Sequence, residues 1–245
     1  MIFLGTNGWY DTQVGNTICT LIEAKERYIV LDAGTGIYKL DKYIHDEKPI
    51  YLFLSHFHFD HIVGFHILNK FSFSQGLIIC SYPGFKEIFR RIVSEPFTVP
   101  VKRLPYEVKF IELFPGSSHV LPWVECRELK HSSRCLGYRF SLEGKRIAYC
   151  VDTGPCDGLY ELAKGVDLLI TECSFKVGQD DLKWSHLDPE KAAMIAKEAG
   201  VRLLILTHFD AKNYSSFQLR KDAEDIAKSI FHETKIAFDD YKIEL

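Results

Sequence analysis

Ser55-His56-Phe57-His58-Phe59-Asp60-His61 sets three imidazoles and a carboxylate side by side, directly after the apolar run Ile50-Tyr51-Leu52-Phe53-Leu54. The run has the length and composition of a buried strand, so the polar cluster lies where the chain leaves a packed layer. His56 and His58, two apart in an extended turn, can point at one cation. Asp60 and His61, where a helix would begin, can reach a second. Crowding such mutually repelling, desolvated groups together without a cation is costly, so a metal site is expected. Imidazole and carboxylate ligands suit Zn²⁺, Mn²⁺ or Fe²⁺ without choosing among them.

The same design recurs on both sides of this stretch. Short runs rich in β-branched and aromatic residues end abruptly on a group able to bind a metal or carry a proton. Residues 27–31 end at Asp32, followed by the Gly34/Gly36 turn; 124–130 end at His131; 146–151 at Asp152; 166–171 at Glu172; and 201–207 at His208. Each is too short for a helix and reads as a strand. Ligands gather outside strand ends in sheets covered by helices, so these endings imply one polar cluster along one sheet edge. Helices are expected between them. Asp188-Pro189-Glu190 opens one, with a capping carboxylate and a proline at the first helical position, and Gly200 closes it. An amphipathic stretch from about Ser216 to Ser229 forms a second.

Residues 82–114 stand apart, with four prolines, several aromatics and the cations Lys86, Arg90, Arg91, Lys102 and Arg103. Proline removes amide donors and restricts the residue before it, so parts of this segment are expected to be irregular. It is a candidate lid or subunit contact; a helix and hairpin packed on the surface is the plainer alternative.

Composition narrows the function. The 245 residues are 47% hydrophobic and 26% charged, with a net charge of −3, a profile that excludes a disordered or collagen-like chain. No basic excess is present to meet a phosphate backbone, and no apolar run nears the roughly 20 residues of a membrane span. Met1 to Leu4 follow no basic segment, so a signal peptide is not expected. Seven cysteines, an odd number with no CxxC pair, fit reduced thiols in a cytoplasm.

The residues His56, His58, Asp60 and His61 match the HxHxDH signature of the metallo-β-lactamase fold superfamily, which the sequence resembles along nearly its whole length. Asn16-Thr17, Asp32 to Gly36, His131, Asp152, Glu172, His186 and His208 fall in that family's order. The resemblance implies a single α/β domain over residues 1–245, an αββα four-layer sandwich, with homodimers frequent. It also implies two divalent metal ions, zinc first with manganese or iron as alternatives. His56, His58 and His131 would hold one, Asp60, His61 and His208 the other, with Asp152 bridging. Asp32 is expected behind a ligand histidine, accepting its second ring proton and fixing its tautomer.

Thr171-Glu172-Cys173-Ser174-Phe175 and Ser185-His186-Leu187-Asp188-Pro189-Glu190 resemble the phosphodiesterase and ribonuclease Z branch. There a glutamate, here Glu172, orients a histidine, here His186, that protonates the leaving oxygen. Asp60, His186 and Glu172 are therefore the expected catalytic residues. His45, His66, His119 and His232 match no motif position and read as structural or surface residues.

The expected function is a dinuclear metal-dependent hydrolase, a phosphodiesterase using a metal-bridging hydroxide on small or cyclic phosphodiesters. One alternative is tRNA 3′-end endonuclease activity, as in ribonuclease Z, with RNA the less favoured partner. The clamping arm those enzymes often carry between the third histidine and the bridging aspartate is replaced here by a short hairpin. A non-catalytic metal-binding sensor is the other alternative. A β-lactamase fits less well because of Glu172, His186 and Asp152, and His58 stands where oxygen or nitric oxide reductases of this fold normally have Glu.

Overall fold

The structure, a computed structural model, describes residues 1–181 and 183–245. Two mixed sheets are stacked between two layers of helices. One sheet has seven strands, in the spatial order Tyr241–Lys242, Ile2–Gly5, Cys19–Glu23, Tyr28–Leu31, Ile50–Phe53, Leu77–Ser81 and Val108–Glu112. The other runs Thr234–Ile236, Leu204–Asp210, Leu168–Cys173, Lys145–Cys150, Cys135–Leu142, Val124–Leu129 and Gly116–Ser117, with the short Asn7–Gly8 strand added beside Leu204–Asp210.

The apolar runs sort their side chains by the two-residue period of a strand. In Tyr28–Leu31, Tyr28 and Val30 face the outer helical layer, whereas Ile29 and Leu31 face the second sheet. In Leu204–Asp210, Leu204 and Leu206 face helices and Ile205 faces the first sheet. Three separate apolar clusters result, one between the sheets and one beneath each helical layer, and three interfaces require four layers. Because these strands are covered on both faces, they read as nearly continuous apolar runs.

The helices expected over 188–200 and 216–229 are Pro189–Glu198 and Phe217–Ile230. The Asp188 carboxylate accepts from the Lys191 backbone N–H at 2.9 Å, and the Ser216 hydroxyl accepts from Leu219 N–H at 3.3 Å. Gly200 ends the first helix with φ +67°, a left-handed turn that a side chain would strain.

Two of the six strand endings lie elsewhere than the sequence predicts. Glu172 and His208 sit inside their strands, Leu168–Cys173 and Leu204–Asp210, rather than after them. Both strands continue because the Asn7–Gly8 strand pairs with Phe209–Asp210 and because Cys173 pairs with Phe209 after a register shift. The segment 82–114 is more regular than its prolines imply. Phe85–Ile92 is a helix that buries Phe85 and Phe89 against the first sheet, and Val108–Glu112 pairs in parallel with Leu77–Ser81. The stretch between His131 and Asp152 is the antiparallel hairpin of Cys135–Leu142 and Lys145–Cys150.

Candidate metal centre

The strand ends converge at one edge of the sandwich. His56 follows the Ile50–Phe53 strand. His58 caps the short helix Phe59–Ile62, which carries Asp60 and His61. From the second sheet come His131, just past Val124–Leu129, Asp152, just past Lys145–Cys150, and His208 within Leu204–Asp210. Ligand atoms of His56, His58, His131 and Asp152 lie within 4.8 Å of one another, as do those of Asp60, His61, Asp152 and His208. Asp152 belongs to both sets. Its Oδ2 lies 3.2 Å from His56 Nε2 and 2.8 Å from His61 Nε2, and its Oδ1 lies 3.2 Å from His208 Nδ1. All seven residues expected as ligands are thus brought together. His45, His66, His119 and His232 are exposed and outside both sets.

The donor atoms suit cations better than they suit each other. His131 Nε2 lies 3.1 Å from His58 Nδ1, and His61 Nε2 lies 3.0 Å from His208 Nε2. His56 Nε2 and Asp152 Oδ1 are buried and, despite near neighbours, lack any hydrogen bond of acceptable geometry. Converging lone pairs without protons to share is the arrangement a divalent ion completes. Electrostatics point the same way. Burial, reinforced by its imidazole neighbours, pushes His56 well below the usual histidine range, and burial lowers His131 to about 4. Burial also opposes charge on His61, but Asp60, Asp32 and Asp152 outweigh it and raise that ring. Asp152, although buried, is held ionised by His208, His61 and His56.

Backbone strain is concentrated here. Asp32, Asp152 and His208 have φ of +57°, +52° and +48°, and Trp9 has +73°. A non-glycine residue in this region costs roughly 1–3 kcal/mol and persists only where surrounding structure over-determines it. In each case the strained backbone turns the chain at the metal centre. Gly8 is required for a different reason: a Cβ there would stand 2.5 Å from His208 Cε1, so the Asn7–Gly8 strand can lie against the ring only without a side chain.

Behind the ligands, Asp32 is buried and saturated with donors. It accepts from Ser55 N–H at 2.7 Å, Ser55 Oγ–H at 2.9 Å, Tyr149 Oη–H at 2.7 Å and His61 Nδ1–H at 2.9 Å. The bond from Nδ1 fixes the orientation of the ring, so that Nε2, aimed at Asp152, is the atom available to a cation. The sequence places Asp32 here but misses Tyr149, whose only signal is a hydroxyl-bearing ring inside an apolar strand. It also misses Trp9, whose backbone N–H donates to Asp60 Oδ2 at 2.8 Å.

Glu172 and His186 meet as the sequence anticipates. His186 Nδ1 donates to Glu172 Oε1 at 2.7 Å and lies 3.6 Å from Asp152 Oδ1. Glu172 is fully buried and also accepts from the backbone N–H of Thr153 at 2.6 Å and Ser174 at 3.2 Å. Burial alone would lower His186, but the Glu172 carboxylate overrides it and lifts the ring to about 9. His186 is therefore held protonated beside the shared aspartate.

Two layered sheets with a doubled His/Asp cluster at their edge define a metallohydrolase scaffold. The chain belongs to the β-lactamase superfamily: the Beta-lactamase superfamily domain matches residues 27–209. Ribonuclease Z of Methanosarcina mazei is 27% identical over 283 aligned positions, covering 86% of this chain and 88% of that protein. The probable metallo-hydrolase YhfI of Bacillus subtilis is 25% identical over 241 positions, covering 91% of each. Its crystal structure superposes with a TM-score of 0.82 over 98% of this chain and 96% of that one. Human tRNase Z, short form, shares the fold with a TM-score of 0.75 at 22% identity, over 99% and 97% of the two chains. These relatives place the chain among the superfamily's metal-dependent hydrolases. The ribonuclease Z alignment is longer than the 245 residues here, so that relative carries insertions this chain lacks.

Proposed function

We propose that this protein is a dinuclear phosphodiesterase of small phosphodiesters, with His186 as the group that protonates the leaving oxygen. The observation that carries this reading is the sharing of Asp152 between the two ligand sets, with the His186–Glu172 pair beside it. His56, His58 and His131 would hold one cation and Asp60, His61 and His208 the other, with Asp152 between them. Bound there, two divalent ions supply positive charge for a phosphoryl group and water acidified enough to react at neutral pH.

The chain's own residues do the rest. Asp32 keeps His61 in the tautomer whose Nε2 is free to ligate. Glu172 keeps a proton on His186 Nδ1 and leaves Nε2–H as the donor to a departing alkoxide. A positioned general acid contributes typically about 10²–10⁴ in rate, and most where the leaving group is poor. The test is His186→Ala assayed on bis(p-nitrophenyl) phosphate and on an alkyl diester. The alkyl diester should lose far more activity; equal losses would remove the acid role.

A second reading, cleavage of tRNA 3′ ends, draws support from relatives named ribonuclease Z. The lack of those relatives' insertions and the balanced charge favour the small substrate. Incubation with precursor tRNA, resolved on a gel, separates the two.

A further inference from the structure

Large apolar rings stand uncovered around the metal centre. Trp184 lies 5.6 Å from the His58 ring and 6.2 Å from the His131 ring, measured between centroids, and is 50% exposed. Trp9, whose backbone holds Asp60, is 65% exposed, and Phe59, between His58 and Asp60, is 80% exposed. One tryptophan thus adjoins each ligand set.

Trp184 is held in place. The Asp181 carboxylate accepts from the backbone N–H of Lys183 at 2.8 Å and of Trp184 at 3.2 Å. On its other side Ser185 presses against Gly154, where a Cβ would stand 1.9 Å from Ser185 Oγ, and His186 is tied to Glu172. A tryptophan pinned at the backbone beside two ligand imidazoles, with half its surface in water, is a preformed platform for a flat ring. It adjoins the place where a phosphate would be held, so the ring it meets is one joined to that phosphate through a short linker. Phosphodiesters of lipids and polyols carry no flat ring, and the widespread biological phosphodiesters that do carry one at that remove are those of nucleotides.

We infer that the site takes nucleotides and that Trp184 is the surface on which the base next to the reacting phosphate stacks. This rests on the phosphodiesterase reading only in placing phosphate at the His/Asp clusters. Stacking tolerates any base, because each has a π face, so recognition is of a nucleotide and not of a sequence.

The test is calorimetric binding to the zinc-loaded full-length protein, which needs no turnover. Adenosine 5′-monophosphate and ribose 5-phosphate differ only by the base. The wild-type protein should bind the nucleotide about tenfold more tightly, within the range stacking on an aromatic side chain provides. Trp184→Ala should bring the ratio of the two affinities close to one, and Trp184→Phe should keep most of it. A wild-type ratio near one, or a ratio that survives in Trp184→Ala, overturns the inference. A trinucleotide in a third arm separates the sources: a further gain marks an RNA strand as the ligand, and no gain a single nucleotide. Absence of hydrolysis by a wild-type protein that still prefers the nucleotide would refute the phosphodiesterase reading alone.

Discussion

Replacing Asp32 with Asn isolates what the buried carboxylate does for the metal centre. The change preserves shape but converts one acceptor oxygen into an NH₂ donor. With the amide oxygen kept toward Ser55 N–H, the NH₂ group faces His61 Nδ1–H and Tyr149 Oη–H. The tyrosine hydroxyl can rotate to accept. The imidazole must instead move its proton to Nε2, the atom 2.8 Å from Asp152. A protonated Nε2 cannot ligate, so an ion at Asp60, His61 and His208, as the proposed function places it, should bind about 10–100-fold more weakly, or about 1.4–2.8 kcal/mol. Competitive titration of zinc against a fluorescent chelator measures both ions. The expected result is one tight and one weakened equivalent. Tyr149→Phe is the control: it removes a hydrogen bond to the charged acceptor, costing about 1.5–3 kcal/mol of stability, but leaves the tautomer alone. Asp32→Asn binding two equivalents with wild-type affinity would refute the tautomer mechanism, as would Tyr149→Phe weakening the ion equally.

Three further outcomes are expected. Gly8→Ala drives a methyl group into the His208 ring and should weaken the same ion, read by the same titration, with little effect on the ion at His56, His58 and His131. Glu172→Gln withdraws the charge that lifts His186 to about 9. Because the acid must be protonated to act, activity is lost as pH rises through its pKa, and the alkaline limb of the rate profile should move to lower pH. Arg220 is fully buried, donates to Thr6 Oγ1 at 3.0 Å and to Asn7 Oδ1, and covers the Phe209 ring at 4.9 Å. Arg220→Ala leaves Asn7 Oδ1 without its donor beside a cavity, while Thr6 keeps its bond to Asp239, and should cost about 3–5 kcal/mol, measured by urea unfolding of the metal-free protein.

The strand-rich α/β character is legible because the strands are covered on both faces, whereas the four-layer arrangement follows from the family resemblance and not from the pattern. Tyr28–Leu31, Ile50–Phe53 and Lys145–Cys150 differ from the predicted runs by only a residue or two at their ends. The sequence ends the strands holding Glu172 and His208 too early because their last residues are set by distant pairing: Asn7–Gly8, two residues with no strand signal of their own, extends the His208 strand, and Phe209 in turn pairs with Cys173 beyond Glu172. In 82–114 the prolines mark the irregular stretch, residues 93–107, whereas the helix Phe85–Ile92 is decided by Phe85 and Phe89, whose value lies in the sheet they pack against.

The chemical character of the centre is local. Histidine and aspartate at the ends of apolar runs must cluster where those runs leave the core, whatever their order in the chain. Only the folded molecule shows that Asp152 is shared by both ligand sets, that Tyr149 reaches Asp32 across 117 residues of chain, and that Trp9 and Trp184 flank the centre. Each of these depends on pairings between distant strands. Side-chain period and ligand type are properties of neighbouring residues, whereas distances between them are fixed only when two sheets pack and their register sets which ends meet.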